Sequence, residues 1–274
     1  MIFPNPHKAL PVSGNCNHTL EMKFRLLVLI LLVCKTGYSQ IEKLGDYKVA
    51  NIKNVITLFK QKNLDKISSI IHFPLHREYP IPSIKNEKEF RQRFNEVFDK
   101  TLIEKIAKSK IEHWSSVGWR GIMLDNGVVW IDTYKGKIKI INVNYQSDFE
   151  KKLKKDLIDK DKENLLISLR NFESPTYKIK TKNYLIRIDK LSNYEYRYAS
   201  WKKGEKESSK PDMILNSGEL EAQGSGGNHV ITFANRNYTY KVWRNIGEDN
   251  SSDITLYVKK DGKTILTENG TLIE

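Results

Sequence analysis

Cysteine is almost absent from this sequence of 274 residues, which contains only Cys16 and Cys34. Both precede residue 40, where we expect the mature chain to begin, so the mature chain would have no thiol. This excludes a disulfide framework, a thiolate nucleophile and a cysteine-rich zinc site. Long apolar runs are missing as well, because the run Leu26–Cys34 is far shorter than the ~20 residues of a membrane-spanning helix. We therefore expect no stable membrane insertion.

The first 39 residues have the pattern of an export signal behind an upstream extension. A basic segment that begins at Met22 is followed by the apolar run and then by small residues that end at Ser39. This order is typical of a secretory signal peptide. We therefore interpret Met22 as the start codon, Met22–Ser39 as the signal peptide and Gln40 as the first mature residue. The mature protein is expected to be periplasmic or secreted.

Acidic residues are outnumbered by basic ones, 33 against 46, which gives a formal net charge of +13. Loss of the leader with its four cations and one anion would lower this charge to +10. The basic residues are mostly lysines distributed along the chain, as on a solvated surface. Such a surface attracts nucleic acids, anionic lipids and acidic glycans without specificity. Because an exported protein does not meet the nucleic acid of its own cell, we expect no nucleic-acid partner.

Apolar residues recur at helical spacing in the first part of the mature chain. The spacing predicts a helix around Ile52–Phe59, a break near Asn63, and further helices over Asn86–Lys100 and Thr101–Ser109. The aromatic residues of Asn86–Lys100 fall on one helical face, which is typical of core packing rather than of a cofactor site. These helices precede the first strong strand signal of the chain.

The tryptophan-rich segment His113–Asp132 contains that signal. An Asn-Gly pair separates the apolar strands Gly121–Leu124 and Val128–Ile131, and such a pair supplies the positive φ angles of a two-residue hairpin turn. A third strand is predicted at Lys137–Asn144. We expect the tryptophans of this segment, Trp119 included, to be core residues.

Helices followed by an antiparallel sheet predict an α+β domain over residues 40–146. The order of Phe73-Pro-Leu, a proline-rich connector and WSSVGWRGIMLDNGVVWID resembles the nuclear-transport-factor-2-like and cystatin-like folds. The resemblance implies a pocket between the helices and the concave face of the sheet. Such folds serve both enzymes and non-catalytic binding modules. Residues 147–174 are predicted to form a helical connector.

From residue 175 to residue 274 the chain changes to nine short β segments bounded by Asn, Asp, Gly or Ser. Met213–Leu215 and Leu220–Gln223 are predicted as two separate strands. Tyrosines alternate with charged residues in Tyr194–Tyr198, as on a strand with two different faces. The pattern predicts an all-β domain, a small barrel or a sandwich. The run Trp201-Lys-Lys-Gly204 is similar to a W-x-K-G run in the β-barrel inhibitors of C-type lysozyme, and the domain also looks like a lipocalin-like barrel.

Candidate sites for chemistry are few. His72 and His76 have the spacing of a helical metal pair, but Pro74 lies between them, so we predict no metal site and no cofactor. The glycines of Gly224–Gly227 predict a tight turn whose exposed backbone N–H groups are able to hold an anion. His113 together with a carboxylate would suit hydrolysis in the pocket of the first domain. The candidate ligand-binding residues are Ser225, Asn228, His229, Lys202, Lys203, His113, Trp119 and Arg120.

No pattern in the sequence identifies a catalytic residue. We therefore predict an exported, non-catalytic binding protein of the bacterial cell envelope, whose partner is an envelope glycan, a protein or a small ligand. One alternative is a hydrolase that uses the pocket of the first domain. The other is an inhibitor or immunity-type protein that acts through a loop of the β domain.

Overall fold

The structure is a computed structural model that describes residues 44–134, 137–246 and 252–273. The predicted leader and the cleavage point at Gln40 lie outside these residues. From Leu44 onward the described residues belong to one compact unit. This unit contains helices with a four-stranded sheet, followed by a closed β barrel. The predicted fold class is thereby confirmed, whereas the domain boundaries at residues 146 and 174 stay a prediction.

The first part of the unit is helical, as the apolar spacing predicts. The break near Asn63 is confirmed, because the Asn63 side chain accepts a hydrogen bond from the Lys66 N–H and so begins a new helix. Asn86 and Asp99 cap the next two helices in the same way. None of the described helices is long and apolar enough to cross a membrane. The helices are α1 (Asp46–Gln61), α2 (Leu64–Ser69), α3 (Glu87–Val97) and α4 (Lys100–Ala107).

The helices pack on an antiparallel sheet with the strand order β1-β2-β3-β4. Its first strand is absent from the sequence prediction, which has three strands. Fully buried side chains from both layers, among them Phe59, Phe90, Phe98, Ile131 and Ile140, belong to one hydrophobic core. The strands are β1 (Trp114–Ser116), β2 (Ile122–Leu124), β3 (Val129–Tyr134) and β4 (Lys137–Val143).

The hairpin between β2 and β3 is confirmed, but its turn is longer than predicted. Leu124 pairs with Val129, so four residues rather than two form the turn. The positive φ angles occur at Asp125 (43°) and Gly127 (89°), so only the glycine of the Asn-Gly pair has one. Asp125 is held there by an ion pair with Lys105, with 2.6 Å between the carboxylate and Nζ. The longer turn thus carries a tertiary contact to α4.

Helix α5 (Asp148–Glu163) follows the sheet and confirms a helix in the predicted connector. It is not solvated on all sides, because a network of charged side chains joins it to the outer face of the barrel. Arg187, which is fully buried, donates hydrogen bonds to Asp161 on α5 (2.6 Å), to Asp189 (2.7 Å) and to Glu207 (3.1 Å). Lys178 donates a further bond of 2.6 Å to Asp161.

Two of the three carboxyl groups that Arg187 contacts have opposite pKa shifts. Burial raises the pKa of Asp189 above its ordinary value, and the adjacent arginines do not fully offset this effect. Burial also acts to raise the pKa of Asp161, but the hydrogen bonds and charges of Arg187 and Lys178 outweigh it and lower the pKa. The contacts with Arg187 and Lys178 therefore favour the ionised form of the Asp161 carboxyl group.

The second part of the unit is a closed barrel of eight antiparallel strands. Each strand pairs with the next one in the chain, and the last strand closes the barrel by pairing with the first at Gly270–Leu272 and Ile179–Thr181. Glu268 extends this seam, because its Oε1 accepts hydrogen bonds from the backbone and side-chain N–H groups of Asn183. The strands are β5 (Ser174–Thr181), β6 (Tyr184–Lys190), β7 (Tyr196–Lys202), β8 (Met213–Ala222), β9 (His229–Asn235), β10 (Tyr238–Arg244), β11 (Ile254–Lys260) and β12 (Lys263–Leu272).

The strand count differs from the nine predicted segments because β8 is continuous. Residues 213–215 and 220–223 were predicted as separate strands, but the intervening Asn216–Glu219 remains in β8. Ser217 has a φ of 55°, and the pairing with β7 shifts register near Tyr196. The polar residues between the two predicted strands therefore lie at a bulge-like irregularity within one strand. Aromatic side chains such as Tyr198, Phe233 and Tyr240 fill the barrel interior.

Candidate functional site

The connections of the barrel fall into two sets at its opposite ends. Because every strand is antiparallel to its neighbour, the connections β6–β7, β8–β9 and β10–β11 share one end with the beginning of β5 and the end of β12. We call this the cleft end. The connections β5–β6, β7–β8, β9–β10 and β11–β12 form the far end. This division decides which predicted site residues lie near one another.

The glycine-rich loop Gly224–Gly227 is the β8–β9 connection and lies at the cleft end. It is a tight turn, as predicted: the Gln223 N–H donates to the Asn228 carbonyl at 2.7 Å, and Gly224 and Gly227 have φ angles of 73° and 92°. The four loop residues, Ser225 included, are exposed. Asn228 is occupied, because its Oδ1 accepts a 2.6 Å hydrogen bond from the backbone N–H of Ile246.

His229 holds the base of this loop rather than pointing freely into solvent. Its Nδ1 lies 2.8 Å from the Gly227 carbonyl, which can only accept, so Nδ1 carries a proton. Its Nε2 lies 2.5 Å from the Tyr177 hydroxyl. Burial raises the pKa of Tyr177 to about 12, so this phenol stays protonated while it is hydrogen-bonded to the ring. His229 therefore positions the loop.

Trp119 is exposed, and the prediction that it is a core residue is wrong. Its side chain is 76% exposed, because it lies in the short 3₁₀ turn Gly118–Arg120 between β1 and β2 and not on a strand. Its ring lies beside the glycine-rich loop: a side-chain carbon at Gly226 would be 3.7 Å from Cη2 of Trp119. Trp114 takes the expected core position, with 3% exposure. The structure thus brings together Trp119 and the loop of Ser225, two candidate ligand-binding positions from distant parts of the chain.

Arg120 is also exposed and lies over the ring of Trp130, with 5.9 Å between its guanidinium carbon and the ring centroid. His113 lies at the opposite end of β1, where its carbonyl accepts a hydrogen bond from the Asp125 N–H. Asp125 is already paired with Lys105. The structure therefore does not assemble His113, Arg120 and a carboxylate into one hydrolytic group.

The pocket that the fold resemblance implies is small. A cavity of about 90 Å³ lies between α1 and the sheet, and its lining includes Lys48, Gly121, Asp132 and Thr133. His113, Trp119 and Arg120 do not line it, which corrects their expected location. Core side chains fill the rest of the space between the two layers.

Lys202 and Lys203 are exposed at the far end, where β7 ends and the β7–β8 connection begins. The ten residues of β8 separate them from the glycine-rich loop, which corresponds to roughly 30 Å along the strand. Trp201 of the same run is buried, and its Nε1 donates to the Ser209 carbonyl at 3.0 Å. The two lysines therefore form no common site with Ser225 and His229.

A larger cleft of about 450 Å³ at the cleft end was missed by the sequence reasoning. It lies between the connector that joins α2 to α3 and the barrel, and its lining includes Tyr79, Tyr177, Arg244, Ile246 and Ile273. Burial raises the pKa of Tyr79 to about 12, so this phenol is also neutral. No periodicity or motif connects these residues, because they come from four separate segments of the chain.

In the described ranges, no group of three or more His, Cys, Asp or Glu side chains is arranged to hold a metal ion. His76 instead contacts the Ser83 hydroxyl, with 3.2 Å between Nδ1 and Oγ. No family model, curated protein or solved structure matches the chain. The cleft end, where an exposed aromatic ring meets the glycine-rich loop, is therefore the candidate site of this fold.

Proposed function

We propose that this chain is an exported, non-catalytic binding protein of the bacterial cell envelope that recognises a glycan at the cleft end of its barrel. The contact surface consists of Trp119, the loop Gly224–Gly227 and Ile246, and we call it the Trp119 surface. The observation that carries the proposal is the exposed Trp119 ring beside Gly226. A broad aromatic face next to accessible backbone is suited to stacking and hydrogen bonding at the same time.

The free energy available at this surface favours recognition. A tryptophan side chain offers ~200 Å² for burial, so covering the 76% that is exposed would contribute about 4 kcal/mol before the costs of association. Such an exposed ring is unusual on a solvated face and is typical of the anchors of binding surfaces. Because the loop is held by His229 and Asn228, little ordering is needed when a ligand binds.

A glycan suits the chemistry of the surface better than a purely apolar ligand. The flat ring of Trp119 can stack on the C–H face of a sugar, while the Ser225 hydroxyl and the loop N–H groups can bond its hydroxyl groups. The basic charge of the chain would further favour an acidic envelope polymer. An inhibitor or immunity-type protein is the second proposal, because the same exposed loop is able to contact an enzyme.

The proposal also includes export of the protein and a likeness of each part of the fold to a known fold type. The signal peptide Met22–Ser39 would place the protein in the periplasm or outside the cell. We compare the eight-stranded barrel with lipocalin-like and lysozyme-inhibitor-like barrels, which share its architecture of consecutive antiparallel strands. The helices and sheet that precede it are compared with nuclear-transport-factor-2-like and cystatin-like folds.

Cosedimentation of the exported full chain with insoluble peptidoglycan, and calorimetry with soluble envelope polysaccharide, test the proposal. Trp119→Ala should weaken binding at least tenfold with an unchanged melting temperature, because the exposed ring contributes little to the core. The Lys202→Ala/Lys203→Ala variant is the matched control at the far end and should keep most of its affinity. Equal binding by wild type and Trp119→Ala, or binding to neither glycan, would contradict the proposal. Inhibition of an envelope hydrolase that depends on the loop would support the second one.

A further inference from the structure

We propose that the cleft of about 450 Å³ is a second binding site and that it takes a small organic anion with an apolar body. The site is separate from the Trp119 surface, although Ile246 borders both. Its volume falls within the range of small-molecule sites in proteins. Apolar side chains line the cleft together with one guanidinium group, that of Arg244, whose hydrogen bonds are incomplete.

The apolar part of the cleft explains two otherwise unexplained exposed side chains. Ile246 follows β10 and Ile273 follows β12, and both line the cleft while remaining 41% and 38% exposed. Ile81, from the connector between α2 and α3, lies on the opposite wall and is buried. Two large aliphatic groups left partly in water beside a buried third form a place where an apolar ligand body gains free energy.

The charge of two of the three lining cations is compensated by carboxylates of the protein. Arg77 donates from Nε (2.6 Å) and Nη2 (2.5 Å) to the buried Glu150 carboxylate and from Nη1 to the Val143 carbonyl. Lys178 is paired with Asp161 at 2.6 Å and with Glu207 at 2.9 Å. Both charges are therefore already matched within the protein.

Arg244 is the lining cation that makes no hydrogen bond to a carboxylate of the described residues. Its Nη1 donates to the carbonyls of Asn245 (2.7 Å) and Asp253 (2.9 Å), which fix the guanidinium plane. Nη2 and Nε have no hydrogen-bond partner among residues 44–134, 137–246 and 252–273. The Asp253 carboxylate also lines the cleft and forms an ion pair with Nη1 at 3.7 Å, beyond hydrogen-bond distance, and its Oδ2 accepts from the Leu272 N–H. A fixed guanidinium with two unused N–H edges is suited to a carboxylate or phosphate oxygen.

A hydroxyl group in the cleft supports the same ligand class. Tyr79 is a neutral phenol on its wall, whereas the Tyr177 hydroxyl is already hydrogen-bonded to His229. A neutral phenol can donate a hydrogen bond to an anion without adding a negative charge. The cleft therefore combines the Arg244 guanidinium, with the Asp253 carboxylate on its Nη1 side, one neutral donor and an aliphatic wall.

Calorimetry of the full chain with three probes of equal chain length tests the inference. The probes are octanoate, 1-octanol and octylammonium, each used below its aggregation concentration. We expect octanoate to bind at least tenfold more tightly than octylammonium, with octanol between them. Arg244→Met should abolish the preference for octanoate, whereas Lys203→Met, the control at the far end, should leave it unchanged.

A second variant is needed because Arg244 also donates to two backbone carbonyls, so that Arg244→Met could fail to fold. Ile273→Ser should weaken all three probes by a similar factor and preserve their order of affinity. Trp119→Ala should leave octanoate binding unchanged, so that failure of this inference and failure of the glycan proposal are distinguished. Absence of saturable octanoate binding, equal affinity for octanoate and octylammonium, or an unchanged preference in a folded Arg244→Met chain would overturn the inference.

Discussion

The indole ring of Trp119 lies beside the backbone of Gly226, so that the turn between β1 and β2 meets the turn between β8 and β9. Neither turn buries the ring, which remains 76% exposed. The contact therefore presents an aromatic face between two hydrogen-bonded turns. The hydrogen bonds of His229 and Asn228 hold the second turn in place. This relationship underlies the proposed recognition surface.

Two adjacent glycines of the loop should respond differently to alanine. Gly226 does not require a positive φ, and a Cβ there makes ordinary contact with Trp119, so Gly226→Ala should change the free energy of unfolding by less than about 0.5 kcal/mol. Gly227 has a φ of 92°, and a Cβ there would lie 3.2 Å from Cδ1 of Ile246. Gly227→Ala should therefore destabilise by about 1–2 kcal/mol. Urea unfolding of both variants measures the difference, and equal stabilities would contradict the loop geometry.

Alanine at Trp114 and alanine at Trp119 should also have different effects on the free energy of unfolding. Trp114→Ala should cost about 3–5 kcal/mol, because this ring is buried in the core and donates from Nε1 to the Ser109 hydroxyl at 3.0 Å. Trp119→Ala should cost less than about 0.5 kcal/mol, as for other exposed positions. Denaturant unfolding followed by circular dichroism gives both values. A large loss of stability in Trp119→Ala would show that the ring is packed and not presented.

The charge network between α5 and the barrel should make stability depend on Asp161 and on pH. Asp161→Asn should cost about 3 kcal/mol at pH 7, because it leaves the buried Arg187 with fewer carboxylates. The pKa of Asp161 is lowered by folding, so its contribution is present above the unfolded pKa of about 4 and is lost as pH falls through the folded value. The gap between wild type and variant should therefore narrow under acid.

Asp159→Asn, at an exposed position on the same helix, is the control for this experiment and should change the stability by less than about 0.5 kcal/mol. Unfolding curves at several pH values between neutral and strongly acidic conditions give the comparison. A gap between wild type and Asp161→Asn that stays constant with pH would show that the carboxylate does not ionise as the geometry indicates.

The seam of the barrel gives a fourth prediction. Glu268 accepts two hydrogen bonds from Asn183 through Oε1, beside the short pairing of β12 with β5. Glu268→Ala should destabilise the chain by about 1–3 kcal/mol, because it leaves both donors unpaired. Glu268→Gln keeps the acceptor and should cost less than half as much. Thermal unfolding compares the two variants, and an equal loss would assign the effect to charge instead of to the seam.

Local patterns in the sequence predicted most of the fold. Helix α1, the break at Asn63 and the β2–β3 hairpin follow from spacing, capping and turn residues that are close together in the chain. The continuity of β8 and the exposure of Trp119 did not follow, because each depends on a partner elsewhere in the structure. An isolated apolar residue does not reveal from its neighbours whether the fold will cover it.

The candidate site was predictable to a smaller extent. The glycine-rich loop was found because its glycines form a local pattern, and the structure confirms its turn. Arg244 and Tyr177 were missed because only the closure of the barrel brings them to one cleft. Lys202 and Lys203 were predicted on a different loop from Gly224–Gly227, and the length of β8 places that loop at the far end.

Amide hydrogen exchange of the full chain, with and without saturating soluble peptidoglycan fragments, tests the central claim most directly. A glycan bound at the Trp119 surface should slow exchange in residues 118–121 and 224–228 and leave residues 202–204 at the far end unchanged. Slower exchange confined to residues 202–204, or the same exchange in all three segments with and without the fragments, would contradict the account.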